Sequence, residues 1–509
     1  MAHLGSRRTR ALTLPVGLAL TASLGFLPMS AASAAPSDGL PTAAVSTDGP
    51  KLSYVVNTTP VHSTGVVRRA IAEAGGTIVT SYDRIGVIVV HSSNPDFAKT
   101  IRNTPGVESA GATRTAPLKS VATTEEGSTE LLTAEEAAKA AAAAGPGQEP
   151  LEPNQWDMRA IQADEASKIN DGSPSVTVGV IDTGVDDTHV DLKANFSKEQ
   201  SANCVGGVAD NSEGAWRPYP DGSDHGTHVA GTIAAARNGI GVTGVAPGVK
   251  VAGIKVSEPG IGFFYTEAVV CGFVWAAEHG IEVTNNSYYV DPWYFNCQDD
   301  PDQKALLDAL TRATKYAERK GVLNVAAAGN ENYDLNSDSI VDTSSPNDSP
   351  SGTRTIDPHK CFDIPTQLPG VVTVSATGTQ GFKSYYSSFG LGVADVSAPG
   401  GDRWQVPATP DANGRVLSTV VDGQYGYKQG TSMATPHVAG VAALLKSTHP
   451  KATPAQLQEL LKAQAVNPGC PSKVYNSAGQ LIDATTCKGD SKVNGYYGHG
   501  IVNALNAVK

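Results

Sequence analysis

Apolar positions follow two rhythms along this chain. Between residues 51 and 115, short apolar runs alternate with stretches of helical spacing: 52–56, a helical 66–74, then 77–81 and 85–90, a helical 95–102, and an extended piece near Val107. Strand side chains alternate between two faces, while helix side chains return to one face every three or four residues. The series therefore predicts strand, helix, strand, strand, helix, strand, a small α+β unit of ferredoxin-like type. After residue 154 the units lengthen. Strands are expected at 176–181, 249–256, 281–285 and 322–327. Helices are expected at 229–236, 267–278 and 303–319, where Ala305, Leu306, Leu310 and Ala313 fall at helical spacing. This alternation predicts an α/β domain with a mostly parallel central sheet and helices on both faces. In such sheets function gathers at the carboxyl ends of the strands. Between the two rhythms, residues 121–153 are rich in Ala, Glu, Gly and Pro and read as an exposed linker holding a domain boundary.

The first residues carry Arg7, Arg8 and Arg10, an apolar run over 11–27 broken by Thr13, Pro15, Thr21 and Ser23, and then Ala32-Ser33-Ala34. A basic head, a short apolar centre and a small-residue end describe an export signal cut near Ala34 or Ala35. A membrane anchor needs about 20 nearly unbroken apolar residues. Arg7-Arg8 leaves the general and twin-arginine routes both open. Export makes the six cysteines, Cys204, Cys271, Cys297, Cys361, Cys470 and Cys487, disulfide partners rather than thiols or zinc ligands, since no paired C-x-x-C occurs. Many pairings are possible; Cys470 with Cys487, closing a short loop, is the one expected. The 509 residues carry a formal net charge of -12, which argues against nucleic acid or an anionic membrane as partner, because both require a basic face.

Three segments place a reactive side chain among small residues. In Val180-Ile181-Asp182-Thr183-Gly184 an apolar strand delivers a carboxylate at its end. Alone it would suit a turn or an aspartic peptidase, but that enzyme needs a second Asp-Thr/Ser-Gly to share the proton, and none is present. In His225-Gly226-Thr227-His228-Val229-Ala230-Gly231 an imidazole opens a helix. The spacing of His225 and His228 is not that of H-E-x-x-H zinc sites, so His228 reads as a packing or hydrogen-bonding residue. In Gly430-Thr431-Ser432-Met433-Ala434-Thr435-Pro436-His437 a serine lies in the first turn of an apolar helix. An isolated serine there would be a helix cap; here its surrounding N–H groups face any charge that develops beside it.

These segments, in the order Asp, His, Ser, resemble the subtilisin family of serine peptidases. Ala326-Ala327-Ala328-Gly329-Asn330-Glu331 is similar to the family's oxyanion segment, and Gly244-Val245-Ala246-Pro247 and Gly500-Ile501-Val502-Asn503 extend the likeness. Residues 51–115 are similar to the family's inhibitory prosegment. The resemblance implies a secreted, extracellular serine endopeptidase in which Ser432 is nucleophile, His225 general base and Asp182 its orienting carboxylate. Asn330 helps to hold the oxyanion. It implies substrate subsites at Ser287, Tyr288, Tyr289, Ala328 and Gly329; the family has Ser-Leu-Gly where this chain has Ser287-Tyr288-Tyr289, so a ring replaces a glycine beside the specificity pocket. Asp191, Asn238, Ile240 and Val242 match positions of a structural calcium site, while catalysis needs no cofactor.

The implied organisation is a signal at 1–34, a propeptide at 35–120 with its inhibitor-like unit at 51–115, a linker and maturation region at 121–153, and a peptidase domain at 154–509. Expected partners are protein or peptide substrates and the chain's own prosegment as intramolecular inhibitor. No nucleic acid is expected, no membrane once the signal is removed, and the enzyme is expected to be a monomer made as an autoprocessed zymogen.

Overall fold

The computed structural model describes residues 49–59, 64–117, 129–220, 222–260 and 262–509; the expected signal at 1–34 lies outside them. In the N-terminal unit the elements run β1 (Leu52–Thr58), α1 (Thr64–Glu73), β2 (Gly76–Tyr82), β3 (Val87–Ser92), α2 (Phe97–Ile101) and β4 (Val107–Ala112). Its sheet has the order β2-β3-β1-β4, every pair antiparallel. This is the expected strand-helix-strand-strand-helix-strand unit. Alternation decides its two faces. Tyr54 and Val56 of β1 join Ile88 and Val90 of β3 in the unit's own core under Val67 and Ile71, while Val55 and Val87 face the other way, into the core of the larger domain.

In the stretch expected as a linker, most residues of 129–148 are exposed or half-buried, and the segment is attached to the domain at a few points. Glu130–Leu131 (β5) pairs with residues 426–427. Ala134–Ala143 (α3) follows, opened by a capping box in which Thr133 and Glu136 satisfy each other's backbone N–H groups. Ala140 and Leu151 are buried with Ala235, Val242, Leu417 and Tyr427. The composition reads as linker because the attachment is spread thinly over two strand residues, Ala140 and Leu151, which make no periodic pattern. A Cβ on Gly426 would fall 2.6 Å from Thr129 Cγ2, so this glycine gives the segment room to dock.

The large domain is built on a seven-stranded sheet. Its elements are β6 (Thr177–Asp182), β7 (Ala202–Asn203), α4 (His225–Ala234), β8 (Lys250–Lys255), α5 (Thr266–Glu278), β9 (Val283–Asn286), α6 (Pro301–Arg319), β10 (Leu323–Ala327), β11 (Val371–Thr377) and β12 (Val396–Pro399). The strand order is β12-β11-β10-β9-β6-β8-β7 and every pairing is parallel. Outside the sheet, β13 (Val416–Thr419) and β14 (Tyr425–Lys428) form a hairpin with β5, followed by α7 (Thr431–Thr448). In β6, Val178 and Val180 pack toward α4 and α7, and Ile181 packs toward α5 and α6. Residues of both sheet faces are therefore apolar, as a sheet covered on both sides requires. Helix α7 is buried over nearly its whole surface, the pattern of a central helix rather than a surface one. From β6 the chain runs outward to β8 on one side and returns to β9 on the other. β6 is thus the switch point, and the crevice beyond its carboxyl end is where such folds bind ligands.

All six cysteines pair: Cys204 with Cys271, Cys297 with Cys361, and Cys470 with Cys487, the last as expected. The first links two core-lining positions 67 residues apart. Replacing both Cys204 and Cys271 by serine is expected to lower the unfolding free energy by about 2–4 kcal/mol, read by denaturant titration. An unchanged midpoint would show that this bridge adds nothing to the packed core.

Candidate active site

Asp182 is the last residue of β6 and is completely buried. Its Oδ1 accepts the N–H of Thr183 at 2.7 Å and lies 2.8 Å from Nδ1 of His225. With a carboxylate on Nδ1, the imidazole carries its proton there and leaves Nε2 as the basic nitrogen facing outward. The His225 ring is presented by the first turn of α4, and that turn is pressed onto the end of β6. Gly226 donates its N–H to Thr183 Oγ1 at 2.9 Å, and a Cβ on Gly226 would lie 2.3 Å from the Gly184 carbonyl oxygen and 3.1 Å from Asp182 Cβ. No other residue could follow His225 at this approach.

Ser432 lies in the first turn of α7 and lines the same cleft as His225. Its Oγ donates to the carbonyl of Ser287 at 3.0 Å, and Ser287 Oγ returns a bond to the Ser432 carbonyl at 2.9 Å. The segment after β9 and the start of α7 are thereby clamped together. In this conformer the Ser432 hydroxyl proton is directed at the Ser287 carbonyl.

Asn330 follows the carboxyl end of β10. Its Oδ1 accepts both the N–H of Thr431 at 2.8 Å and the Thr431 hydroxyl at 2.9 Å. Two donors on one atom define which end of the amide is oxygen, so Nδ2 is the end left over. Nδ2 and the Ser432 N–H both lie near Gly430, 3.6 and 3.5 Å from the point where a Cβ would stand. Thr431 also accepts from Gly329 N–H at 3.1 Å. This residue was quoted in the sequence motif without a role, because the spacing of a motif does not show which side chain fixes another.

The cleft has a volume of about 940 Å³. Of the residues expected as subsites, Ser287, Tyr288, Tyr289 and Gly329 line it and Ala328 does not. That residue is fully buried with its N–H on Val374, and Ala327 takes its place in the wall. Tyr288 stacks on Phe264 with ring centres 4.5 Å apart. Tyr289 does not turn to solvent: its ring packs on Tyr294 at 4.6 Å, and its hydroxyl accepts from Asn347 Nδ2 at 2.9 Å. Gly329 has a φ of +94°, and a Cβ there would sit 1.9 Å from the Tyr294 hydroxyl. Asp291 and Asp363 also line the cleft; Asp291 is two residues beyond Tyr289, whereas Asp363 lies far from any motif. Burial pushes the Asp291 carboxyl up to about 7 and lifts that of Asp363 well above the usual range, with the Glu331 charge adding to the second effect.

Asp191, Asn238, Ile240 and Val242 do come together, but not as a cation cage. Asp191 Oδ1 accepts from Asn238 Nδ2 at 2.9 Å, and Oδ2 accepts from Val242 N–H at 3.0 Å and the Tyr425 hydroxyl at 2.9 Å. The N–H groups of Gly239 and Ile240 are taken up by Glu149. Calcium needs six to eight oxygens, whereas this carboxylate is met by hydrogen donors, so the residues as placed do not fit the ion expected from the sequence.

A model of the subtilase family matches residues 173–500. Subtilisin NAT of Bacillus subtilis subsp. natto is 34% identical over 291 residues, covering 57% of this chain and 60% of that protein. The subtilisin of Bacillus pumilus is 34% identical over 307 residues, 60% of this chain and 89% of the relative. The match thus takes in about three fifths of the first relative's length. Among solved structures, the epidermin leader peptide processing serine protease of Staphylococcus aureus superposes with a TM-score of 0.63 at 24% identity, covering 90% of this chain and 98% of that one; the likeness is one of fold.

His228, one turn along α4 from His225, is fully buried and donates from Nε2 to the carbonyls of Val416 and Gly426. Burial, reinforced by the charge of Lys428, pushes its pKa down to about 3. The unfolded chain, with a histidine pKa near 6.5, binds more protons between those values, so this residue's contribution is complete above pH ~6.5 and is lost as pH falls toward 3. The slope is about 1.4 kcal/mol per pH unit. His228→Gln, which keeps a donor, is expected to lose about 2–3 kcal/mol less than the parent between pH 6.5 and 4; parallel stability curves would reject this. Chelation with EDTA is expected to leave the unfolding temperature unchanged. A fall restored by added calcium would assign a cation to the Asp191 loop.

Proposed function

The chain belongs to the subtilase family, and on that premise we propose that it is a secreted serine endopeptidase, made as a zymogen, that hydrolyses protein or peptide substrates through an acyl-enzyme. The observation that carries the reading is that His225, Ser432 and Asn330 line one cleft, with Asp182 buried behind His225 and bonded to it, each supplied by a different strand end or helix start. His225 Nε2 takes the Ser432 proton as Oγ attacks the scissile carbonyl, and then delivers it to the leaving amine. Asp182 holds the tautomer and stabilises the imidazolium. The tetrahedral oxygen is received by Asn330 Nδ2 and the Ser432 N–H, donors already in place before charge develops. Water then repeats the sequence on the ester. All these groups come from one chain, consistent with a monomer.

The zymogen part of the proposal rests on how the N-terminal unit meets the domain. Asn57 Nδ2 donates to the Ala305 carbonyl of α6 at 2.8 Å, and Arg312 donates back to the carbonyls of Thr58 and Gly86. Arg114 is buried in ion pairs with Glu267 and Glu258. Thr115 and Ala116 donate their N–H groups to Asp348, and the neighbouring Ser349 lines the cleft. Thr129 donates to Asp224, the residue before His225. The unit at 51–115 therefore leads its tail to one rim of the cleft, as an intramolecular inhibitor would, with tethering raising its effective concentration. The maturation cut is proposed to fall within residues 121–153. Export is proposed from the 1–34 pattern and from the complete pairing of the cysteines.

Ser432→Ala is expected to accumulate as uncut precursor and to lose fluorophosphonate labelling in a host without other suitable proteases. The mature parent is expected to begin within residues 121–153 and to be inhibited in trans by residues 35–117. Asn330→Ala is expected to lower kcat by about 100- to 1,000-fold, a magnitude established on a subtilisin. Processing of the Ser432→Ala precursor at the same bond would refute self-cleavage.

A further inference from the structure

We propose that the cleft selects substrates with a lysine or arginine on the acyl side of the scissile bond, and that Asp363 is the residue that reads the charge. This rests on the peptidase reading above. Asp363 lines the cleft that holds Ser432, His225 and Asn330. It is 1% exposed, and its Oδ1 has no hydrogen-bond partner. The charged groups that act on it include the like charge of Glu331 and no cation. Glu331 stands next to the oxyanion residue, where its Oε2 accepts the Asn330 N–H at 2.9 Å and the Tyr294 hydroxyl at 2.5 Å. Asp291 is a third acid in the same wall. Against them the lining holds Lys428, whose charge is already taken by Asp224 at 2.8 Å.

A buried carboxyl with an open acceptor at Oδ1 costs stability, which the hydrogen bond from the Thr366 side chain offsets only in part. A ligand that brings both hydrogen donors and positive charge offsets that cost; an aliphatic or aromatic side chain leaves it standing. The walls fit the same ligand. The packed rings of Tyr289 and Tyr294 offer apolar faces to a long methylene stem and a π surface to the cation. Gly329, Glu331, Tyr294 and Asp363 line the same cleft as Asn330, and the proposal has the acyl-side side chain of a substrate whose carbonyl oxygen rests on Asn330 follow that wall to Asp363. The substitution of a glycine by Tyr289 then completes the pocket rather than blocking it.

The test is a set of fluorogenic peptides differing only at that position, Arg, Lys, Leu and Phe, cleaved by the mature enzyme. Arg and Lys are expected to exceed Leu and Phe in kcat/KM by at least about 10-fold. Asp363→Asn is expected to lose about 100-fold on the Arg peptide, the scale of removing one partner from a desolvated charge pair, and to reverse the preference. Cleavage of the Leu peptide and fluorophosphonate labelling of Ser432 report that the variant is folded. A second readout needs no turnover: p-aminobenzamidine, an aryl cation, is expected to bind the parent and to be released by Asp363→Asn. Leu or Phe cleaved as fast as Arg by the parent overturns the proposal while leaving the peptidase reading intact. No cleavage of any peptide together with no labelling of Ser432 overturns both.

Discussion

Everything in the site depends on how closely the first turn of α4 is seated on the carboxyl end of β6. Asp182 ends a strand with neighbours on both sides, so its position is set by the sheet and not by a loop. Thr183 then performs two tasks. Its N–H holds Asp182 Oδ1, and its hydroxyl receives the Gly226 N–H from the helix. Because Gly226 has no side chain, the helix comes near enough for His225 Nδ1 to reach that carboxylate. A single added methyl would push α4 outward and leave a buried carboxylate without its imidazole, which costs far more than the lost packing.

The other groups attach to this frame in the same manner, through backbone and short polar side chains at strand ends. Ser287 after β9 exchanges hydrogen bonds with Ser432, and Thr431 couples Gly329 and Asn330 after β10 to the start of α7. Rigid placement matters because donors aimed in advance at a developing charge need no reorganisation when it appears. Carboxylates are distributed by the same economy. Those on the flank, Asp302, Asp348 and Glu267, accept hydrogens from the N-terminal unit, whereas Asp363 in the cleft keeps an open oxygen.

Much of this architecture was legible from periodicity. The alternating pattern located every predicted strand and helix of the two units to within a few residues, since a sheet covered on both faces and an amphipathic α6 leave long, regular apolar signals. The segment 129–153 was not legible. Its attachment consists of two paired strand residues and a few separated side chains, Ala140 and Leu151 among them, and complementarity of that kind has no period. The Asp191 loop was legible as a cluster but not as chemistry: which atoms are donors and which acceptors is settled by Tyr425, some 230 residues away, and by Glu149.

The sequence by itself determined the reacting groups and the fold class, because a motif such as Asp182-Thr183-Gly184 or Gly430-Thr431-Ser432 couples a reactive side chain to the local backbone form that presents it. Tertiary structure alone decided which residues serve those groups. Thr431 orienting Asn330, Ala327 replacing Ala328 in the wall, Tyr289 packing inward on Tyr294, and Asp363 lining the cleft with an unpartnered oxygen are all contacts between segments distant in sequence. Local spacing carries information about a chain's own turns and faces, while the environment of a side chain is made by whichever distant element folds against it.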